Sequence, residues 1–506
     1  MKKSANTVKS KATISNHKNK NSIERISELP DEILCFILTS LNNKEAAKTS
    51  ILSHRWRSLW KISVSSRSIL DLDELGFNGY FGGYDGMRFA RTEEDIALLT
   101  LERRKFVNYV DKILSLDHGG KKDLLRIKFY LKKDDSLCVN KCIYLAAVKR
   151  VEKYDIDLGP FHGNGNVGEE NLYIFPFWLF TEELGSFVKT IRLNSCVFGP
   201  IHCVRFTSLM DLRIEYGFVD KDIVVSILLN CPNLEKLQLA CCRGLSSLDI
   251  SGPSLKLKVV TIFSCRELRE IKMDVKSLIT FHYIGAPVRF LSMNVPQLSN
   301  VNFCYGEYGG ALNYALGELS TDFPKLESLL LSTLTSEVND ISRQLPLFAN
   351  LKKLVLMINL SKCGGTFWEY IPLLQASPNL QKLELHSSVF CFNCAEVELL
   401  QRPRDVPHLH LKEIYLTGFF GRPQDVEFVS YLLENAISLQ KMTIFYGTFD
   451  RDMESRELEE EMFVNIEDYG CPHYKLNKHA CDHFVDTIRP GVELEITFSQ
   501  YLSGLI

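Results

Sequence analysis

A chain of 506 residues, 45% hydrophobic and 24% charged, has room for several domains or for a small domain joined to a long repeat array, and its balance is that of a soluble globular protein. A formal net charge of -3 offers no field for nucleic acid or an anionic membrane, and apolar runs such as Ile223 to Leu229 are far too short to cross a bilayer. The 15 cysteines are odd in number, scattered, and mostly inside apolar runs, so they read as buried thiols of a reducing compartment (cytoplasm or nucleus) rather than a disulfide framework.

Residues 1–25 carry dispersed lysines against the single acid Glu24 and no apolar core, which predicts a disordered basic tail rather than a secretory signal. At Ile26 the character changes. Leu29-Pro30-Asp31-Glu32 has proline for a first helical turn and two acids for the positive end of the helix dipole. Ile33, Leu34, Ile37, Leu38 and Leu41 follow at helical spacing. Asn42-Asn43 end that helix, and Asn43 is expected to cap a second, Lys44 to Leu52, with Ala46, Ala47 and Ile51 inward. Ser53 caps a third, in which Trp56, Leu59 and Trp60 share one side. So small a bundle cannot cover all its apolar surface internally, so the tryptophans and leucines are expected to form part of a docking face.

Residues 26–60, ISELPDEILCFILTSLNNKEAAKTSILSHRWRSLW, closely resemble the F-box of the plant F-box/leucine-rich-repeat/FBD family. Two positions depart from the usual pattern: Asn42 stands where proline commonly follows the leucine, and His54 where lysine or arginine is common. The resemblance implies that this unit binds a Skp-type adaptor and, through it, cullin and RING subunits of a ubiquitin ligase. The residues it nominates for that contact are Leu29, Pro30, Ile33, Leu34, Ile37, Leu41, Leu52, Trp56, Leu59 and Trp60.

The remainder repeats L-x-x-L-x-L, clearest at Leu234/Leu237/Leu239, Leu326/Leu329/Leu331, Leu351/Leu354/Leu356 and Leu380/Leu383/Leu385. Each repeat predicts a short strand whose alternate apolar side chains face a core shared between stacked coils. Cys196, Cys242 and Cys265 occupy the repeat position where asparagine or cysteine is typical, and read as small buried residues. Between Leu234 and Leu298 further apolar triplets at Leu245, Leu268 and Val288 predict extended return limbs. Beyond Leu298 the spacing lengthens, and Phe367 to Gln375 and Val426 to Asn435 have helical periodicity. The far side should therefore change from extended to helical along the array. Residues 411–445 resemble the FBD module of the same plant family: strand, glycine-rich turn, helix, strand.

The fold class is accordingly α/β. The expected order is a tail (1–25), F-box (26–70), leucine-rich-repeat solenoid (120–407), FBD-like module (408–450), and an acidic loop with a C-terminal segment (451–506).

Catalytic motifs are weak. Gly163-Asn164-Gly165-Asn166-Val167-Gly168 is not followed by the helical run that a dinucleotide site needs. Cys391/Cys394 lacks a second pair, and Cys471, His473, His479, Cys481 and His483 match no common zinc spacing. No cofactor or metal is expected, and the chain reads as a non-catalytic subunit. Its unknown protein target is expected on the outward-pointing strand residues, with Lys352, Lys353, Lys382 and Glu384 nominated. A protein-binding scaffold without ubiquitin chemistry and a ligand-sensing receptor are the alternatives.

Overall fold

The computed structural model describes residues 26, 28–73, 93–117, 119–159, 172–199, 204–252, 254–304, 323–334, 347–360, 367–389, 405–419, 421–446, 484 and 488–498. The expected tail, the glycine-rich stretch 163–168 and the cysteines and histidines at 391, 394, 471, 473, 479, 481 and 483 lie outside them.

Three helices open the fold: α1 (Asp31–Ser40), α2 (Asn43–Thr49) and α3 (His54–Ser66). Their starts follow from capping chemistry. Ser53 accepts from the Trp56 amide, as its position before an apolar helix predicts. The α2 cap is Asn42, not the expected Asn43: Asn42 Oδ1 accepts from the Glu45 amide at 2.8 Å. At φ -65° Asn42 takes the angle to which a proline would be locked, and its side chain adds the cap that proline lacks.

From β1 (Ile69–Asp73) onward the chain coils into one parallel sheet, in which 15 strands are described. In chain order the next strands are β2 (Leu124–Lys128), β3 (Lys153–Asp157), β4 (Tyr173–Ile174), β5 (Thr190–Asn194), β6 (Cys196–Val197), β7 (Asp211–Glu215), β8 (Lys236–Ala240), β9 (Ser247–Ser251), β10 (Val259–Phe263), β11 (Glu270–Asp274), β12 (Thr280–Ile284), β13 (Arg289–Asn294) and β14 (Asn300–Cys304), of which β4, β6, β9, β11 and β13 pair outside the long sheet. They continue as β15 (Ser328–Leu334), β16 (Lys353–Leu360), β17 (Lys382–Val389), β18 (Glu413–Phe419), β19 (Lys441–Tyr446) and β20 (Glu493–Phe498). The register never slips between coils in the array centre: Leu237 lies beside Val260, Phe281, Val301, Leu329, Leu354 and Leu383. Two buried residues per strand thus form two apolar ladders, and the first leucine of each motif (Leu234, Leu326, Leu351, Leu380) is buried at the turn before its strand. The FBD-like segment supplies β18 and β19 of the same sheet, with the helix Pro423–Asn435 between them.

The return limbs partly differ from expectation. In the central coils they are extended, and Ser247–Ser251, Glu270–Asp274 and Arg289–Asn294 pair as a second parallel sheet. The limbs Ile371–Gln375 and Pro423–Asn435 are helical, as the periodicity predicts. Helices also flank the early strands, at Glu93–Leu116, Ser136–Val148 and Lys221–Asn230, so the order is helical, extended, helical. The reason is coil length: the stretch from Asp211 to Lys236 holds a helix, whereas the shorter one from Val259 to Thr280 does not.

Several strands end in the same way. Ser195, Tyr216, Cys241 and Ser264 each follow a strand with positive φ (49° to 56°). Each donates its amide to the carbonyl that closes the next strand, for example Ser195 to Glu215 at 2.8 Å. That bond offsets the strain of a left-handed non-glycine residue. Just beyond, Cys196, Cys242 and Cys265 are buried as expected, and the Cys242 thiol donates to the Ile214 carbonyl at 3.3 Å.

Candidate functional site

Two surfaces concern function: the F-box and the open face of the long sheet. In the F-box the nominated residues divide. Pro30, Ile33 and Leu52 are exposed, Leu29, Ile37 and Leu41 are half-buried, and Leu34, Trp56, Leu59 and Trp60 are buried. The last four, expected as contact residues, are core residues in the structure and present little surface to any partner. Ile51, expected inward, is 82% exposed. Sequence reasoning passed over Phe36 (71% exposed) and Ile62 (56%). Phe36 stands two residues after the buried Leu34 and two before the buried Leu38. That spacing puts it off their side of the helix, a signal that was available. Large apolar side chains left in water on so small a unit mark an interaction face.

The face is held by polar staples. Arg55 donates from Nε to Asp31 Oδ1 at 2.8 Å and from Nη2 to the Leu29 carbonyl at 2.7 Å, tying the start of α3 to the start of α1. Arg67 donates to the carbonyls of Leu38 and Leu41, the orphan acceptors at the end of α1.

A second set of bonds fixes the F-box to the solenoid. Asn43 is buried and donates to the Asp71 carbonyl at 2.8 Å, tying the start of α2 to the outer edge of β1. Lys122 is 1% exposed; its ammonium donates to the carbonyls of Ser65 (2.9 Å) and Arg67 (2.6 Å) and faces Asp117 at 3.4 Å. Asp117, equally buried, also accepts from Lys149 at 2.6 Å. Burial pushes the Lys122 ammonium down from its ordinary range, and Asp117 opposes that shift. Gly120 lies so close to the Ser65 carbonyl that any Cβ would run into it. Trp60, Val64, Leu70 and Phe106 belong to one core that continues into the coils.

On the open face, many of the charges are paired with one another. Arg126 bonds Asp155 at 3.1 Å, and Lys441 lies 3.1 Å from both Glu493 and Glu495. The nominated residues do likewise. Lys352 pairs with Glu327 at 2.9 Å, while Lys353 and Lys382 hold Glu384 at 3.0 and 2.9 Å. Burial alone would raise the Glu384 carboxyl, but hydrogen bonds from His386, Lys382 and Lys353 outweigh it and hold it down to about 2. Among the described residues, no group of three or more His, Cys, Asp or Glu could hold a metal, and no helix is long and apolar enough to cross a membrane.

Three helices with an exposed apolar face, closing the end of a parallel leucine-rich coil, define an F-box protein with a repeat body. Comparison with known proteins agrees. An F-box domain profile matches residues 26–67, and the profile described as "At1g61320/AtMIF1, LRR domain" matches residues 116–463. The chain belongs to this plant F-box/leucine-rich-repeat family. It is 26% identical to F-box/LRR-repeat protein 13 of Arabidopsis thaliana, over 84% of this chain and 90% of that protein. It is 27% identical to F-box/LRR-repeat protein At3g59200 of the same plant, over 84% and 82%. It is also 27% identical to FBD-associated F-box protein At5g22720, over 42% of this chain and 38% of that one.

Proposed function

We propose that the chain is the substrate-receptor subunit of a Skp–cullin–F-box ubiquitin ligase, acting in the cytoplasm or nucleus. The F-box docks the Skp-type adaptor, which brings the cullin and RING subunits, and the solenoid holds the target. The observation that carries this reading is the set Ile33, Phe36, Ile51 and Leu52, exposed on a helical unit whose buried core of Leu34, Leu38, Trp56, Leu59 and Trp60 is already covered within the chain. Apolar side chains of this size are left in water where a partner covers them. The chain's part is to hold two proteins together, raising the effective concentration of target lysines near the charged conjugating enzyme. Transfer chemistry belongs to the other subunits.

The test is co-purification with a Skp-type adaptor. Phe36→Asp together with Leu52→Asp should weaken binding by about tenfold or more, because both residues lie outside the core and the variant stays folded. Undiminished binding would sink the assignment. Ubiquitin chains should form only when adaptor, cullin and RING subunits are all supplied.

A further inference from the structure

The open face of the sheet changes character along its length. On β1 to β7 it is charged: Asp71, Arg126, Asp155, Arg192 and Arg213 stand side by side in register, with Asp211 beside both Arg192 and Arg213. On β16 to β20 it is charged again, through Lys353, Lys382, Glu384 and their partners. Between these arms, β10, β12, β14 and β15 place three successive outward positions each on the same face. None of those positions is Asp, Glu, Lys or Arg. The middle row there runs Thr261, His282, Asn302, Leu330, with Phe263 and Ile284 beside it; Thr261, Phe263, His282 and Asn302 are half-buried, while Leu330 and Ile284 are buried. His282 and Asn302 are hydrogen-bonded to each other at 3.0 Å.

A charge on such a face is easily tolerated, because the strand alongside can supply its opposite, as both arms demonstrate. Loss of charge over four adjacent strands at the middle of the sheet is the composition of an interface core, with the charged arms as its rim.

A second feature lies at the leading edge of the same strands. At the turns that lead into them is a cavity of about 540 Å³, lined in part by Ile279, Ser299 and Glu327. These residues immediately precede Thr280, Asn300 and Ser328, the first outward positions of β12, β14 and β15, so cavity and charge-free patch adjoin. The cavity's charges are already engaged: Lys325 with Gln297 at 3.0 Å, and Glu327 with Lys352 at 2.9 Å.

We propose that this surface is where the solenoid holds its target, and that it takes an uncharged stretch of polypeptide, polar and aliphatic or aromatic in its side chains. At ~4.8 Å between strands, four strands span ~14 Å, which about four or five extended residues would cross. A charged side chain set down between Thr261, His282 and Asn302 would meet no opposite charge at the outward positions of these four strands, which is unfavourable, whereas amides and hydroxyls can bond to the His282–Asn302 row. Lys353, Lys382 and Glu384 then form the border of the site and not its centre. The proposal rests on the receptor reading only in calling the bound segment a target.

The experiment uses the full chain bound to its adaptor and a displayed library of random short peptides as the probe. Enriched peptides should share an uncharged run. Their affinity should fall about tenfold in Thr261→Arg with Asn302→Arg, and change less than about threefold in Lys353→Glu. His282→Ala provides a milder variant, expected to weaken the same peptides in the same direction. Peptides bound through charged runs, peptides indifferent to both central variants, or no enrichment over an unrelated chain would each overturn the proposal. Adaptor co-purification is read on the same samples. A chain that selects the peptides but does not hold adaptor leaves this surface standing and removes the ligase reading.

Discussion

Lys122 shows how much a single buried cation can hold. Its ammonium gathers carbonyls from the end of α3 and faces a carboxylate as buried as itself. Removing one partner from such a group is far worse than never having built it, because the carbonyls and Asp117 stay buried. Lys122→Met should therefore lower stability by about 3 kcal/mol, read from denaturant unfolding, even though methionine fills much of the same volume. Glu384 gives the opposite case, a carboxylate over-supplied with donors. Its folded pKa is about 2, below that of an unfolded glutamate near 4.3, so its contribution is complete above the unfolded value. It is lost as pH falls through the folded one. The stability difference between the native chain and Glu384→Gln should be on the order of 2 kcal/mol at neutral pH and close between about pH 5 and pH 2. A gap that persists at pH 2 would mean that packing, not charge, sets the role of this residue.

At the scale of elements, the repeat was legible because its signal is local and periodic. L-x-x-L-x-L places one leucine in the turn and two on the strand, and each predicted central strand is present. The first coils were harder to read. Leu70/Leu72 and Leu125/Ile127 supply the inward pairs of β1 and β2, yet Arg67 and Lys122 stand three residues before them, so only the x-L-x-L half of the motif remains. In the F-box, helical periodicity located the apolar residues but could not sort core from face. Trp56 and Trp60 are covered by a core that extends to Leu70 and Phe106, far along the chain, and no local pattern records such contacts. The same limit hid the charge-free patch: neutral residues are noticed only when strands distant in sequence are laid side by side.

At the scale of the molecule, F-box and solenoid meet through a continuous apolar core, the Asn43 bond to β1 and the Lys122 cluster, with Gly120 allowing the close approach. F-box and sheet are accordingly carried on one framework whose relative position is set by packed side chains rather than by a tether.

That joint bears on the choice of experimental control. Excising an F-box is the obvious way to make a receptor that keeps its target but loses its ligase. In this chain the excised piece is also the lid on the first coil. Removing residues 26–67 would strip Asn43 from the edge of β1, uncover Leu70 and Leu72, and leave Lys122 and Asp117 without the carbonyls and covering residues around them. An uncovered apolar edge strand is a template for self-association. The truncated chain should therefore elute as aggregate on size exclusion, while the full chain carrying Phe36→Asp and Leu52→Asp elutes as the native protein does. A well-behaved truncation would show that the solenoid closes its own end. Otherwise, partners gained or lost on excision would report a damaged repeat array, and only the surface variants would separate capture from delivery.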